Sequence, residues 1–414
     1  MHILQAVRSG VAFQAARDRA AAGLDERDRR LAHELAAGVL RHQRRLDREL
    51  DLRAADPRLH DVLRLGAYQL RMLTRVPAYA AVSATVALAR EAAGEGAARY
   101  ANRVLRALAR APTPRPPGPE ASHPRWLLER WRARFGAAET ARLAAWNDAK
   151  PPLTLQPARW DLDTLRARLR EAGFGVGEAP YGAGLRPAAA PGARLPPPAR
   201  LPGFAEGGFI VQDAAQALVC RYAAVPPGAV VYDACAAPGG KAVTLARLGA
   251  RVVAGDVRRA RVAALAATVR RAAAAVRVVV ADLMAPPFAG DAFPAVFVDA
   301  PCTATGTMAR HPDARWRLSP GTIARAAERQ GALLAAAARL VRPGGLLIYA
   351  TCSLEPEENG DVVNAFLAVH PEFRRAPAAG AVPAPLLTPE GDFQSLPQRD
   401  GMDGAYAARL VRAR

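Results

Sequence analysis

Two cysteines occupy positions where a thiol could act as a nucleophile. Cys352 follows the apolar run LLIYAT, and Cys302 follows the run PAVFVD and an Ala-Pro dipeptide. A thiol with a pKa of about 8.5 is only slightly ionised at neutral pH, yet its thiolate is a strong nucleophile even without an adjacent base. Each cysteine could instead be a small buried hydrophobe, so one cysteine alone leaves both interpretations open.

Four apolar runs in the same part of the chain end in an aspartate. The runs AVVYD, RVVAGD, VRVVVAD and PAVFVD end at Asp233, Asp256, Asp282 and Asp299. A single aspartate after a strand often only caps the next helix. Because parallel strands of an open α/β sheet bring their carboxyl ends to one edge, where such folds bind ligands, the four acids predict one cleft that they share with the cysteines.

The turn DACAAPGGK, residues 233–241, has the features of a cofactor site. Gly239 and Gly240 allow a ligand to approach the backbone, and the helix that follows offers unpaired N–H groups. The turn lacks the GxGxxG pattern of dinucleotide sites, which favours a nucleoside without a diphosphate, namely S-adenosylmethionine. We predict that Asp256 accepts hydrogen bonds from the ribose and that Asp282 contacts the adenine edge. A nicotinamide oxidoreductase remains an alternative, since such enzymes share the architecture.

Two thiols beside a methyl donor indicate methylation at carbon 5 of cytosine. This carbon is a poor nucleophile, but addition of a thiolate to carbon 6 makes the ring enamine-like, so that carbon 5 can attack the sulfonium methyl group. The carbon 5 proton must then leave and the thiol be eliminated, so one sulfur attacks and a second group assists release. Asp299 could hydrogen-bond the ring nitrogen and the amino group as charge builds during the attack.

The charge of the chain favours a polyanionic partner. Its 414 residues include 57 Lys and Arg against 38 Asp and Glu, a formal net charge of +19. Such a field attracts nucleic acid, although basic proteins are common. The two lysines are Lys150 and Lys241, and a single donor on a flexible stem suits the crowded turn at Lys241, unless its retention is chance. A basic helix that tracks phosphates, or else a solvated helix face, is predicted around Arg310, Arg315, Arg317, Arg325 and Arg329.

Other patterns exclude several classes of protein. The four cysteines form no CxxC pair and the seven histidines no HExxH motif, so no metal site is predicted. The N-terminus lacks an unbroken apolar region, and no stretch has the length of apolar sequence needed to cross a bilayer. We therefore expect a cytoplasmic protein without membrane contact, in which disulfides are disfavoured.

The apolar patterns predict a multidomain chain. Helical periodicity over 1–112 predicts an all-α bundle, and the prolines of 113–124 predict a linker. Residues 125–207 read as a small α/β subdomain. Over 208–414, apolar runs alternate with helical stretches, which predicts a Rossmann-like domain with a parallel sheet and crossover helices.

Several of these motifs together carry a family resemblance. DACAAPGGK, DAPCTATGT and YATCSLEPEEN, with GGFIVQDAAQALV before them and LPQRDGMDGAYAARL after them, resemble the motif set of the RsmB (Sun, Fmu) branch of RNA cytosine carbon-5 methyltransferases. The N-terminal helices with YANRVLRAL resemble the NusB-like domain of this branch, and HPRWLLERW its connecting region. The combination is specific, whereas any single motif is weak. The resemblance covers most of the chain.

The resemblance implies a role for each matching residue. Cys352 corresponds to the nucleophile and Cys302 to the cysteine that aids product release, whereas the two roles would be exchanged in a DNA cytosine methyltransferase. Asp299 would contact both the target base and the cofactor. The remaining cofactor contacts implied by the resemblance are Cys235, Ala236, Ala237, Pro238, Gly239, Gly240, Lys241, Asp256 and Asp282.

The sequence also departs from the family pattern. PCTATG replaces the usual PCSGTG, the arginine pair before HPD is reduced to Arg310, and PLTLQPAR lacks the common arginine and asparagine after the strand. We expect the chemistry to survive these changes. They bear on RNA contacts, above all in the small subdomain.

The resemblance further implies a substrate and a partner. The expected reaction is S-adenosylmethionine-dependent methylation of cytosine 967 in 16S ribosomal RNA, on free RNA or an early small-subunit assembly intermediate, by a monomer that does not act on DNA. Accessible RNA bases can be turned out of their stack, as this chemistry requires. The alternative from another class is an RNA-binding assembly or antitermination factor with an inactive Rossmann domain.

Overall fold

The computed structural model describes residues 1–50, 52, 55–112, 118–378 and 380–414. They form two compact units, one of Met1–Pro151 with Met308–Arg317 and one of Pro152–Thr307 with Leu318–Arg414. Within the described ranges, no helix is long and apolar enough to cross a membrane. The four-part division predicted from sequence stays a prediction, and residues 113–117 of its linker lie outside the described residues.

Helices and strands are numbered separately in chain order. The helices are α1 (His2–Arg8), α2 (Phe13–Ala20), α3 (Glu26–Leu50), α4 (His60–Met72), α5 (Ala78–Arg110), α6 (Arg125–Phe135), α7 (Ala137–Asp148), α8 (Leu162–Glu171), α9 (Ala214–Ala223), α10 (Gly240–Arg247), α11 (Arg259–Ala272), α12 (Ala314–Arg317), α13 (Pro320–Ala338), α14 (Gly360–Val369) and α15 (Pro397–Asp400). The strands are β1 (Leu155–Pro157), β2 (Gly175–Glu178), β3 (Leu185–Ala188), β4 (Phe209–Val211), β5 (Val230–Asp233), β6 (Arg251–Asp256), β7 (Val276–Val280), β8 (Phe293–Asp299), β9 (Val341–Thr351), β10 (Phe373–Arg375), β11 (Phe393–Ser395) and β12 (Ala405–Arg412).

The first unit is helical, as its 3.6-residue periodicity predicts. Helices α3, α4 and α5 pack around one apolar core that includes Leu40, Leu63 and Leu105. Helix α3 kinks at His42, and α5 is interrupted at Gly94, where φ is +81°. Glycine accepts this left-handed conformation without the clash of a β-carbon.

The chain returns to this unit for ten residues, 308–317, and Arg315 is completely buried there. Its guanidinium donates to Asp148 Oδ1 at 2.9 Å and to the carbonyl oxygens of Arg41, Ser122 and Asn147. A buried charge is tolerated only when it is paired and hydrogen-bonded. The predicted role of Arg315 in a phosphate-tracking helix is therefore wrong.

The predicted basic helix is also not one element. Arg315 and Arg317 lie on α12, whereas Arg325 and Arg329 lie on α13, in the other unit. The break occurs at Ser319, which caps α13 through Thr322 N–H, with Pro320 at the first helical position. Arg310 lies in the turn before α12 and is half-buried, whereas Arg317, Arg325 and Arg329 are exposed. Contact with RNA stays a prediction for these four residues.

The second unit contains a small sheet and a large one. The small sheet is antiparallel, in the order β2-β3-β1-β4, and α8 packs on it through Leu165 and Leu169. Strand β4 lies beyond the predicted boundary at residue 207 and pairs with β1.

The large sheet has the order β10-β12-β9-β8-β5-β6-β7, with β11 beside β12. The five strands predicted from apolar runs are β5, β6, β7, β8 and β9, and they are parallel. Apolar cores lie on both faces, which explains why these strands read as continuous apolar runs rather than as alternating patterns.

The sheet continues beyond the five predicted parallel strands at one edge. Strand β12 runs antiparallel to β9, and it pairs antiparallel with β10 and β11 as well, so the sheet is mixed. The predicted fold class, a helical N-terminal region followed by a small α/β part and a Rossmann-like domain, is confirmed.

Candidate active site

The parallel strands place the predicted residues along one edge of the sheet. Asp233, Asp256 and Asp299 are the last residues of β5, β6 and β8, and Cys352 directly follows β9. Asp282 lies two residues beyond the end of β7. In the ladder, β8 is the neighbour of both β5 and β9, so Asp299 lies between the turn that follows β5 and the Cys352 loop.

The two cysteine sulfurs meet at this edge. Cys302 Sγ lies 3.2 Å from Cys352 Sγ, and both residues are half-buried. Their strands account for the meeting, since Asp299 pairs with Ala350 and each cysteine follows within three residues. The hydrogen bond to Cys352, together with burial, raises the pKa of Cys302 well above its ordinary value. Cys302 is therefore held as the thiol.

Lys241 forms an ion pair beside the cysteines. Its Nζ lies 2.8 Å from Asp299 Oδ2. Burial alone would lower the pKa of Lys241, but the negative charge of Asp299 and its hydrogen bond outweigh burial, and the net pKa is raised. Charge on Cys352 also contributes to this rise, so the ammonium and a thiolate at Cys352 attract each other. The pair therefore keeps the amino group of Lys241 protonated within the site.

The turn from Cys235 to Lys241 packs closely on α11 and on the end of β6. Gly239 has a φ of +106°, and a β-carbon there would lie 2.8 Å from Leu265 Cδ1. Ala236 N–H donates to the Gly255 carbonyl at 2.9 Å, and the Ala237 carbonyl, before Pro238, accepts from Arg261 at 2.7 Å. The turn is thus held against the end of β6, as a nucleoside site needs.

The acids at this edge differ in their surroundings. Asp256 is buried, accepts the Arg258 N–H at 3.1 Å and lies 3.4 Å from Arg261. Asp282 is exposed and accepts the Met284 N–H at 2.9 Å, the turn-capping contact that competes with a ligand role. Cys235 is held as a thiol, because burial and then the charge of Asp233 raise its pKa to about 12. It is unsuited to nucleophilic attack.

Asp233 is a buried carboxyl group that lacks a well-formed hydrogen bond. Its residue is 0% exposed, and neither carboxyl oxygen has a partner of good geometry among the described residues. A backbone contact with Cys235 is the smallest of the influences on its pKa. Burial and then the negative charge of Asp299 raise the pKa of Asp233 to about 8. A buried polar group without a partner destabilises the fold, and such groups concentrate where a ligand binds.

We expect the stability of the free protein to fall between about pH 4 and pH 8 because of Asp233. Its pKa in the folded state, about 8, lies above the ordinary 3.8. The folded state therefore binds more protons than the unfolded state in this range, and stability decreases by up to about 1.4 kcal/mol per pH unit. The Asp233→Asn variant should lose this component, so its advantage over wild type in urea unfolding should grow from about pH 5 to pH 8.

The matched control for that measurement is Asp282→Asn, which removes an exposed carboxylate from the same edge. Its difference from wild type gives the effect of removing one acidic side chain from this edge without unburying it. Equal pH dependence of wild type and Asp233→Asn would contradict the prediction.

Two loops support the cysteines, and sequence reasoning did not identify their supporting residues. Thr305 Oγ1 accepts from Leu354 N–H at 2.7 Å, and Gly306 N–H donates to the Cys352 carbonyl at 3.0 Å. A β-carbon on Gly306 would lie 2.5 Å from the Gly404 carbonyl oxygen, so the segment before β12 packs directly on the Cys302 loop. Glu358 and Gln330 complete this support. The motif YATCSLEPEEN contained Glu358, but nothing in the sequence distinguished it from the neighbouring glutamates.

Three family models match successive parts of the chain. Residues 2–110 match the NusB family, and residues 123–187 match the ferredoxin-like domain described as Methyltr_RsmF/B-like. Residues 223–411 match the model described as 16S rRNA methyltransferase RsmB/F.

Curated relatives and a solved structure match nearly the whole chain. The protein named ribosomal RNA small subunit methyltransferase B from Pseudomonas putida is 37% identical over 94% of this chain and 92% of its own. The protein named probable ribosomal RNA small subunit methyltransferase B from Synechocystis is 34% identical over 93% and 92%. The crystal structure of the protein PH0851 is 26% identical, with a TM-score of 0.79 over 99% of this chain and 97% of that one.

Proposed function

The chain belongs to the ribosomal RNA small subunit methyltransferase B family, and from this premise we propose that it methylates carbon 5 of one cytosine in 16S ribosomal RNA. Membership itself carries the coarser activity, methylation of ribosomal RNA. The target atom, cytosine 967 as the target nucleotide, and a covalent cysteine adduct are the finer parts of the proposal.

One observation carries the proposal, namely the 3.2 Å separation of Cys302 Sγ and Cys352 Sγ at the carboxyl edge of the sheet. A thiolate that adds to carbon 6 of a pyrimidine must later be eliminated, after a second group has removed the proton from carbon 5. Two sulfurs in contact can reach the adjacent carbons 5 and 6 of one ring. A methyl transfer to an oxygen or to an exocyclic nitrogen would need neither sulfur.

The electrostatics favour Cys352 as the attacking sulfur. The raised pKa of Cys302 keeps its proton, which can be donated to Cys352 Sγ across 3.2 Å. The positive charge of Lys241 attracts the negative charge of a thiolate at Cys352. A hydrogen bond and a nearby cation both stabilise a thiolate. Cys352 is thus the sulfur prepared for attack, as the family resemblance implies.

Cys302 becomes easier to deprotonate once Cys352 has attacked. The first cause of its raised pKa is the hydrogen bond to Cys352, and charge on Cys352 adds to it. Once Cys352 Sγ is bonded to carbon 6, that sulfur carries no charge, so the pKa of Cys302 falls. Cys302 can then release its own proton to solvent, and the Cys302 thiolate accepts the proton from carbon 5. The bond between carbon 6 and Cys352 breaks at the same time and restores the aromatic ring and the Cys352 thiolate.

Asp299 and Lys241 would stabilise the attacked base. Asp299 is half-buried next to both cysteines, with one oxygen bound to Lys241 and the second oriented by that ion pair. From this position its carboxylate can accept a hydrogen bond from the amino group of cytosine and, once the ring nitrogen has taken up a proton, from that nitrogen as well. Charge develops on that nitrogen during addition, and a preorganised partner lowers the barrier without reorganisation.

The residues at the sheet edge fit S-adenosylmethionine, which supplies an electrophilic methyl group when bound. The left-handed turn at Gly239 leaves no room for a β-carbon, and the adjoining N-terminus of α10 offers N–H groups. The carboxylate of Asp256 would hold the ribose, and Asp282 would lie at the adenine edge. The carboxyl group of Asp233 lacks a well-formed hydrogen bond and is the group best suited to gain a partner from the ligand.

The rest of the chain would bind the RNA as a monomer. Its net charge of +19 supports attraction to phosphates, and such attraction weakens with salt. We propose that residues 1–112 act as an RNA-binding module, 113–124 as a linker and 125–207 as a connecting subdomain, and that 208–414 carry out catalysis on free 16S ribosomal RNA or an early assembly intermediate.

Bisulfite sequencing of 16S ribosomal RNA tests the proposal. We expect one protected cytosine, at position 967, to lose protection in a strain without this chain and to regain it when the chain is restored. An unchanged pattern, or a methyl group found on another atom of the nucleotide, would refute the assigned target. A binding titration separates the enzyme from an RNA-binding factor, because the latter would take up no S-adenosylmethionine.

A further inference from the structure

We propose that Glu358 is a positioning residue that holds the two cysteine loops together and so sets the distance between the two sulfurs. The inference rests on the proposed function for its catalytic meaning. The geometry that carries it is independent of the reaction. Glu358 is 0% exposed and lies just before α14, outside the set of residues assigned to cofactor or base.

The carboxylate of Glu358 accepts hydrogen bonds from both loops. Oε2 accepts Thr303 N–H at 2.8 Å, and Oε1 accepts Ser353 Oγ–H at 2.6 Å as well as the Thr303 hydroxyl. Thr303 and Ser353 directly follow Cys302 and Cys352 in the chain. The Glu358 side chain therefore binds the residue after each cysteine, and the two cysteine loops cannot separate without breaking these hydrogen bonds.

Glu358 is itself anchored on two sides. Its backbone carbonyl accepts the Tyr349 hydroxyl at 2.6 Å, which fixes it to β9. Its Oε2 also accepts Gln330 Nε2 at 2.9 Å, and the same amide donates to the Pro301 carbonyl at 3.0 Å. Gln330 lies on α13, so a helix and a strand define where the carboxylate stands. Glu358 is held rigidly because α13 and β9 are part of the packed domain.

A carboxylate suits this position because the groups around it are donors. Two N–H groups point at Oε2 and two hydroxyl groups at Oε1, which matches the four acceptor sites of an ionised carboxyl group. Hydrogen bonds to a charged acceptor are stronger than neutral ones. Loss of the carboxylate would leave buried donors without partners in both cysteine loops, and the loops would relax apart.

Disulfide formation reports the distance between the sulfurs without any methyl transfer. Diamide oxidises two neighbouring thiols to a disulfide and is itself reduced to the hydrazine, and peptide mass mapping then measures the Cys302–Cys352 bond over time. In Glu358→Ala we expect this bond to form at least about tenfold more slowly than in wild type, because the sulfurs no longer stay in contact. The affinity for S-adenosylmethionine should stay unchanged.

Methyl transfer in a single turnover should fall about 100-fold in the same variant, the usual effect of a misplacement of about 1 Å at a reacting group. The matched control is Asp361→Asn, which removes an exposed carboxylate three residues along the chain, on α14. Both of its rates should stay within about twofold of wild type. Circular dichroism and thermal unfolding establish that each variant is folded.

The outcomes separate the positioning role from the proposed function. A folded Glu358→Ala protein that forms the disulfide at the wild-type rate would overturn the positioning role. If Glu358→Ala forms the disulfide slowly but the wild-type protein methylates no cytosine, the positioning role is supported and the proposed function is refuted. If Glu358→Ala does not fold, Glu358→Gln decides, since it keeps the volume and loses the charge. In Glu358→Gln we expect the Cys302–Cys352 disulfide to form about threefold more slowly than in wild type, and a wild-type rate would refute the positioning role.

Discussion

The Cys352→Ala variant is expected to form no 5-methylcytosine, a loss of at least about 10⁴-fold in single-turnover rate. The variant retains Cys302, Asp299 and Lys241, but it lacks the sulfur that the site prepares for attack. Cys302, whose proposed role is to accept the proton from carbon 5, is not expected to replace it at carbon 6. Without an adduct at carbon 6, carbon 5 stays too weak a nucleophile to accept the methyl group.

The measurement is transfer of a radioactive methyl group to 16S ribosomal RNA, followed by nucleoside analysis. Cys220→Ala is the matched control, since Cys220 is buried in α9 and burial raises its pKa far above the ordinary value. This control should retain methylation close to the wild-type level. Free 5-methylcytosine formed by Cys352→Ala at the wild-type rate would show that Cys352 is not the nucleophile.

The Cys302→Ala variant is expected to remain covalently attached to methylated RNA. It keeps Cys352, so addition and methyl transfer can proceed, although without the hydrogen bond that Cys302 gives to Cys352. It lacks the group that accepts the proton from carbon 5, and elimination should slow by about 10² to 10⁴-fold. The product then stays bound through Cys352, and turnover stops after about one event per protein.

A denaturing gel detects this adduct as a protein band that carries RNA and the labelled methyl group. The double variant Cys302→Ala with Cys352→Ala is the control and should form no such band, because the attacking sulfur is absent. Release of methylated RNA by Cys302→Ala at the wild-type rate would contradict the role of Cys302.

The two variants together also test the order of the roles. If the chain used its cysteines as DNA cytosine methyltransferases do, Cys302→Ala would be inactive and Cys352→Ala would form the adduct. The Lys241 ammonium opposes that order, because its charge attracts negative charge on Cys352 and a cation beside a sulfur stabilises the thiolate. The prediction is therefore asymmetric, and one gel with both variants decides it.

The family and the main architecture were accessible from the sequence, because local patterns encode them. Continuous apolar runs predict strands buried on both faces, and β5, β6, β7, β8 and β9 lie where those runs predicted them. Parallel strands have one carboxyl edge, so residues at the ends of the runs had to share it. This rule alone predicted that Cys302 and Cys352 come close together.

The remaining features depend on contacts between distant segments, which local periodicity does not encode. The antiparallel β12 and the contact of Gly306 with Gly404 arise from the return of the C-terminal segment to the sheet. The burial of Arg315 depends on Asp148 and on three carbonyl groups far away in sequence. An arginine in a basic stretch reads as a surface residue unless those partners are known.

The sequence by itself determined which chemical groups share one edge of the sheet, because the apolar runs predict parallel strands and the carboxyl ends of parallel strands meet at one edge. Only the tertiary structure decided how those groups act on one another. The 3.2 Å contact of the sulfurs and the Lys241–Asp299 pair each join residues 50 or more positions apart in the chain. The hydrogen bonds to the Glu358 side chain join the two cysteine loops through a third segment. Charge state and distance depend on such packing, and packing is a property of the folded chain.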